Sequence, residues 1–150
     1  MKKNPSLPLL IDLARNHSDK ARRQLQLLLA NVNQGQRKLG TLESFLTEYQ
    51  QRMLNSTAEG IDIGALQNYR LFLSKLSQAV TQQSDEIDTL HGKVDSAKKH
   101  WQIQERRRLS FETLQQRFDQ QREKDEAQQL QKLMDAFATQ RAASKIMGRK

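Results

Sequence analysis

His17, His91 and His100 are the side chains of this chain best suited to hold a metal or move a proton near neutral pH. Metal chemistry on a helix needs ligands about one turn apart, and no two of these histidines are that close in sequence. They read as solvent-facing residues. The 17 carboxylates are scattered, so no pair is placed for acid and base work. There is no GxxxxGK[ST] loop to cradle a nucleotide phosphate, and no cysteine for a disulfide or a thiolate zinc site. The expectation is a protein that is not an enzyme and holds no cofactor and no metal. What the chain does repeat, at steps of three and four, is leucine and its kin. The chemistry of such spacing is association.

The clearest case is residues 39–80. Leu39, Leu42, Leu46, Tyr49 and Met53 form one heptad seam, and Leu66, Tyr69, Leu73, Leu76 and Val80 form another. Between them stand Gly60 and Gly64. A continued first seam would run through Ser56, Gly60 and Gln67, whereas the second runs through Leu66, a slip of one residue. A turn at about 55–62 is therefore expected, joining helix 1 over about 6–54 to helix 2 over about 63–142, with Asp62 as cap of the second. Ser6 caps the first, and Pro8 falls in its opening turn, where a missing N–H costs little.

In helix 1 one register holds through Leu7, Ile11, Ala14, Ser18, Ala21, Leu25, Leu28, Val32, Gly35, Leu39 and on to Met53, an arm about 70 Å long. Gly35 costs that helix about 1 kcal/mol relative to alanine and allows close approach of a bulky partner residue. In helix 2 the seam continues through Gln83, Ile87, Leu90, Val94, Ala97 and Trp101, weakens, and is renewed by Phe111, Leu114 and Phe118. The fold class expected is all-α, a long antiparallel two-helix coiled coil, in one domain over residues 1–150. Pairing positions that sum to 122 sets Ala21 against Trp101, Gly35 against Ile87 and Ile11 against Phe111. A register that sets Ala14 against Trp101 serves nearly as well, and both stay open.

Composition agrees. Only 36% of residues are hydrophobic and 5% aromatic, too few for a thick globular core. No apolar run reaches the length of a membrane span, and Asp12 and Arg15 interrupt the short one near the start, so a cytoplasmic protein is expected. The net charge of +8 suits an acidic partner, nucleic acid or an anionic membrane surface, although Arg15, Lys20, Arg22, Arg23, Arg37 and Lys38 lie off the seam and read as a solvated face.

Two surfaces are left over. Helix 2 overhangs: residues 119–129 are polar all round, and then Leu130, Leu133, Met134, Phe137 and Ala138 make one apolar face with nothing of this chain opposite. That face is a candidate docking surface, with self-association as its rival. Near the turn, Phe45, Phe72 and Ala79 sit beside the seam at g positions, so that Phe45 and Phe72 become neighbours. With Leu42, Tyr49 and Leu76 they form an apolar ridge, which reads equally as a partner surface or as a widened core.

The chain resembles the FliJ family of the flagellar type III export apparatus. The likeness rests on LIDLARNHSDKA at 10–21, EYQ at 48–50 and Asn68–Tyr69 after the turn. Further on come Phe72, Leu76 and Ala79, then VDSAKKHW ending at Trp101, and MDAFATQRAA at 134–143. The resemblance implies a non-enzymatic helical hairpin, similar to the central stalk of rotary ATPases. It implies that the protein promotes and enters the hexameric ring of the export ATPase FliI, contacts the FlhA export gate and escorts export chaperones. It therefore sits peripherally at the cytoplasmic side of the inner membrane and binds no nucleic acid. Carried over by position, the gate-binding residues are Leu42, Phe45, Tyr49, Phe72, Leu76 and Ala79, with Phe45 where a tyrosine is usual. Lys38 and Gln83 depart from a glutamine and a histidine of the family pattern. The docking end for the ATPase is assigned to Leu130, Leu133, Met134 and Phe137. The rival readings are a basic nucleic-acid-binding coiled coil and the equivalent stalk of a virulence injectisome.

Overall fold

The computed structural model describes residues 6–148. It holds two helices, α1 (Ser6–Glu59) and α2 (Ile63–Met147), and no strand among the described residues. The helices pack against each other as an antiparallel hairpin, the expected fold class. The described residues fall into two compact units: residues 18–103, which include the turn, and residues 6–17 with 104–148.

In the first unit the α1 seam reads as a row of shielded positions. Ala21, Val32 and Gly35 are buried, and Leu25, Leu28, Leu39, Leu42, Leu46, Tyr49 and Met53 are half-buried. From α2, Gln83, Ile87 and Val94 are buried, with Leu66, Tyr69, Leu73, Leu76, Val80, Leu90, Ala97 and Trp101 half-buried. Among the described residues no large side chain is completely enclosed, because a pair of helices shields only a narrow stripe of each. Gly35 shows the register: a Cβ added there would lie 3.3 Å from Ile87 Cγ1. The alignment that sums to 122 is the one adopted at this layer.

The turn is shorter than expected. α1 runs to Glu59 rather than stopping near 54. Residues 55–59 contain no residue that breaks a helix, and Thr57 is accommodated by donating its hydroxyl to the carbonyl of Met53 at 2.7 Å. The break comes at Gly60, whose φ of 86° is a left-handed conformation that ends a helix cheaply only at glycine. Its N–H closes on the Thr57 carbonyl at 3.2 Å. The carbonyl of Asp62 then accepts from Leu66 N at 3.0 Å, which makes Asp62 the residue preceding the first turn of α2. Its carboxylate also stands at the positive end of the α2 dipole.

In the second unit Leu7, Ile11 and Ala14 are buried, and Phe111 is half-buried. Leu114 and Phe118, expected to renew the seam, are 39% and 38% exposed. Beyond Asp125 every described residue of α2 is exposed. α2 nevertheless continues to Met147, past the expected end near 142, and Gly148 N closes its last turn on the Ser144 carbonyl at 3.0 Å.

Candidate functional site

The ridge beside the turn is built from both helices of the first unit. Tyr49 and Phe72 meet edge to face, with ring centroids 4.6 Å apart and planes at 60°. This is the favoured arrangement for two aromatic quadrupoles. The guanidinium of Arg52 lies 5.2 Å from the Tyr49 centroid and is held there by a 2.7 Å ion pair with Glu48 one turn back. Leu42, Leu76 and Ala79 are half-buried at the foot of the ridge, while Phe45 and Phe72 keep 46% and 41% of their surface in solvent.

The aromatic partner of the Phe72 ring is Tyr49, one of the residues expected beside it in the ridge. Sequence reading passed over the apolar residues that flank the ridge. Leu54, Ile63 and Leu71 are 60%, 72% and 58% exposed. They lie off the a and d stripe, and their only signal is that a leucine or isoleucine occupies a position a coiled coil leaves to polar residues.

The second surface lies on the α2 segment beyond Asp125. Leu130, Leu133, Met134 and Phe137 are 59%, 68%, 60% and 66% exposed. Helical spacing brings them to one face, and it is not the continuation of the seam. Extended along α2, the a and d positions pass through Gln129 and Lys132, so the apolar face is turned away from the side that packs on α1.

Between these surfaces in sequence, a polar cluster crosses the helices of the second unit. Arg15 Nε donates to Glu112 Oε1 at 2.9 Å, and Arg108 donates to Glu112 Oε2 at 2.8 Å. Arg108 also engages both oxygens of Glu105, at 2.6 and 2.8 Å. Arg108 occupies an a position, and the register sets it opposite Ala14, a small residue that leaves room for a long stem. The hydrogen bond from Arg15 draws the Glu112 carboxyl below its ordinary value against the opposing effect of burial, and the charge of Arg108 adds to the lowering. Hydrogen bonding to Glu105 raises the Arg108 guanidinium further above neutrality. Arg15, read as part of a solvated basic face, is thus an interhelical partner. Nearby, Gln104 keeps a buried side-chain oxygen without a hydrogen-bond partner.

His17, His91 and His100 are all exposed. Among the described residues no three metal-ligating side chains come together. Two apolar surfaces stay open among the described residues, the ridge beside the turn and the α2 face. The family model described as Flagellar FliJ protein matches residues 2–146. The chain belongs to the FliJ family. It is 31% identical over 143 residues to the Flagellar FliJ protein of Escherichia coli (strain K12), covering 95% of this chain and 97% of that one. With the Flagellar FliJ protein of Salmonella typhi it shares 32% over 143 residues, with the same coverage. A FliJ family member is a component of the flagellar export apparatus. In this FliJ family member the α2 face is open along its whole length, and the ridge is open at Phe45 and Phe72.

Proposed function

We propose that this FliJ family member is the non-enzymatic stalk of the flagellar export ATPase. In this reading the α2 face of Leu130, Leu133, Met134 and Phe137 docks on the FliI hexamer and promotes its assembly. The ridge of Leu42, Phe45, Tyr49, Phe72, Leu76 and Ala79 engages the FlhA gate. Export chaperones are escorted by the same protein. The observation that carries the reading is the α2 face: four large apolar side chains, each well over half exposed, on a helical segment with no opposing helix. An open face of that kind is uncommon on a protein without a partner.

No helix among the described residues is long and apolar enough to cross a membrane. Association with the inner membrane would then come through the gate, peripherally and from the cytoplasmic side. The basic faces gain a use if the ATPase ring presents acidic groups to the stalk.

Binding of the purified export ATPase to this protein tests the reading. Leu133→Ala, Met134→Ala and Phe137→Ala together are expected to weaken binding at least on the order of tenfold, since buried apolar anchors dominate such interfaces. Because the three side chains are exposed, each change should alter stability by no more than about 0.5 kcal/mol. Full-strength binding by the folded triple variant would remove the docking end from the proposal.

A further inference from the structure

Gln83 is a buried polar residue at a seam position of α2, only 6% exposed. Its Nε2 donates to the carbonyl of Gly35 on α1 at 3.1 Å. A helix carbonyl has a second lone pair to offer, but a side chain at the same residue normally screens it from a neighbouring helix. Gly35 has none. A Cβ added there would stand 3.3 Å from Gln83 Nε2 and 3.3 Å from Ile87 Cγ1, tight against both. Even a methyl group here would press on both side chains, and a side chain as large as leucine would take the space that they use.

The leucine seam by itself does not require this alignment. In the observed register Leu25 faces Ala97 and Leu46 faces Leu76. Slide the helices by one heptad and Leu25 faces Leu90 while Leu46 faces Tyr69, so apolar still meets apolar. What changes is the neighbour of Gln83. The residues one heptad either side of Gly35 on α1 are Leu28 and Leu42. A slide in either direction brings a leucine to the place of the glycine. Gln83 then loses its acceptor while remaining buried, and an unpaired buried amide disfavours that state by on the order of tenfold or more in population.

We propose that Gln83 and Gly35 form a register lock, which selects one alignment of α1 and α2 from those the seam permits. Gln83 is a positioning residue in this account. The alignment it holds is the one that sets Tyr49 beside Phe72 at 4.6 Å, whereas a one-heptad slide would carry Tyr49 to the level of Ala65 or Ala79. The lock stands on the helix pair alone; only its value to gate binding rests on the function proposed above. The three-residue turn with its left-handed Gly60 is the competing source of register, and the test separates the two.

The chain has no cysteine, so engineered pairs report alignment without background. Leu25→Cys with Ala97→Cys reports the observed register in the full-length protein. Leu25→Cys with Leu90→Cys, and Val32→Cys with Ala97→Cys, report slides of one heptad in the two directions. With Gln83 and Gly35 intact, disulfide formation is expected in the first pair only. In a Gln83→Leu background the slid pairs are expected to gain at least on the order of tenfold relative to the first, with helix content retained. Leucine fills the same space and removes the unpaired amide, so the thermal midpoint should hold or rise while the register spreads. A residue with a merely structural role would lower the midpoint and leave the cross-links in place. Gly35→Leu should spread the register likewise; if that variant does not fold, Gln83→Leu decides alone. Cross-links confined to the first pair in folded Gln83→Leu would overturn the lock and assign the register to the turn.

Discussion

Tyr49 of α1 and Phe72 of α2 stand edge to face, 4.6 Å between centroids, at the exposed end of a ridge that only the pairing of the two helices creates. Neither ring is placed by its own helix alone. The contact joins two residues that are separated by the turn yet share one level of the hairpin. Phe72 remains 41% exposed beyond it, which leaves that ring available to a partner.

Phe72→Ala should therefore act on binding more than on folding. The aromatic pair contributes on the order of 0.5–1.5 kcal/mol beyond area burial, and its loss bounds the stability effect of removing the ring edge contact. Binding to the cytoplasmic portion of the FlhA gate, measured by calorimetry, should fall at least on the order of tenfold, as for an aromatic anchor. Phe45→Ala, at an exposed position off the seam, should weaken binding with little change in thermal midpoint. Undiminished gate binding by both folded variants would reassign the ridge to core packing.

Acid should loosen the cluster around Glu112. Its folded-state pKa lies below the ordinary value of 4.5, so the carboxylate contributes stability that is fully present above that value. The contribution is lost as pH falls through the depressed folded value. Thermal midpoints followed downward from neutrality should decline in this acid range, and the decline should be shallower in Glu112→Gln. At neutral pH that variant should be less stable by about 1 kcal/mol or less, as for a partly exposed pair with Arg15. An identical acid limb in both proteins would show that other carboxylates govern it.

Gly60→Ala tests the turn. A left-handed φ of 86° costs an alanine roughly 1–2 kcal/mol over glycine. Urea denaturation should show that loss with an unchanged slope, because the packed surface is the same in both proteins. An unaltered midpoint would mean that the hairpin closes through another backbone path.

Much of this could be read from residue types and spacing. The α1 seam was legible because one heptad register runs from Leu7 to Met53, and the burial pattern follows it position by position. The α2 face at Leu130–Phe137 was legible because a polar stretch isolates it. The length of the turn was not: Asn55, Ser56 and Thr57 resemble loop residues, yet a helix tolerates them until Gly60 provides a better place to stop. Contacts that depend on register were hidden as well. Arg15 pairs with Glu112, Tyr49 meets Phe72 edge to face, and Gln83 reaches Gly35. Each needs the axial offset of two helices to within one turn, and a leucine seam admits several offsets.

The proposed role as a stalk acting on the export ATPase is tested by one rate. ATP hydrolysis by the cognate export ATPase should be measured at physiological salt, alone and with the full-length protein. A stalk should raise the rate sharply through the exposed α2 face, and the rise should disappear with the combined change of Leu133, Met134 and Phe137 to alanine. An ATPase that is competent to assemble, and whose rate is the same with and without this protein, would contradict it.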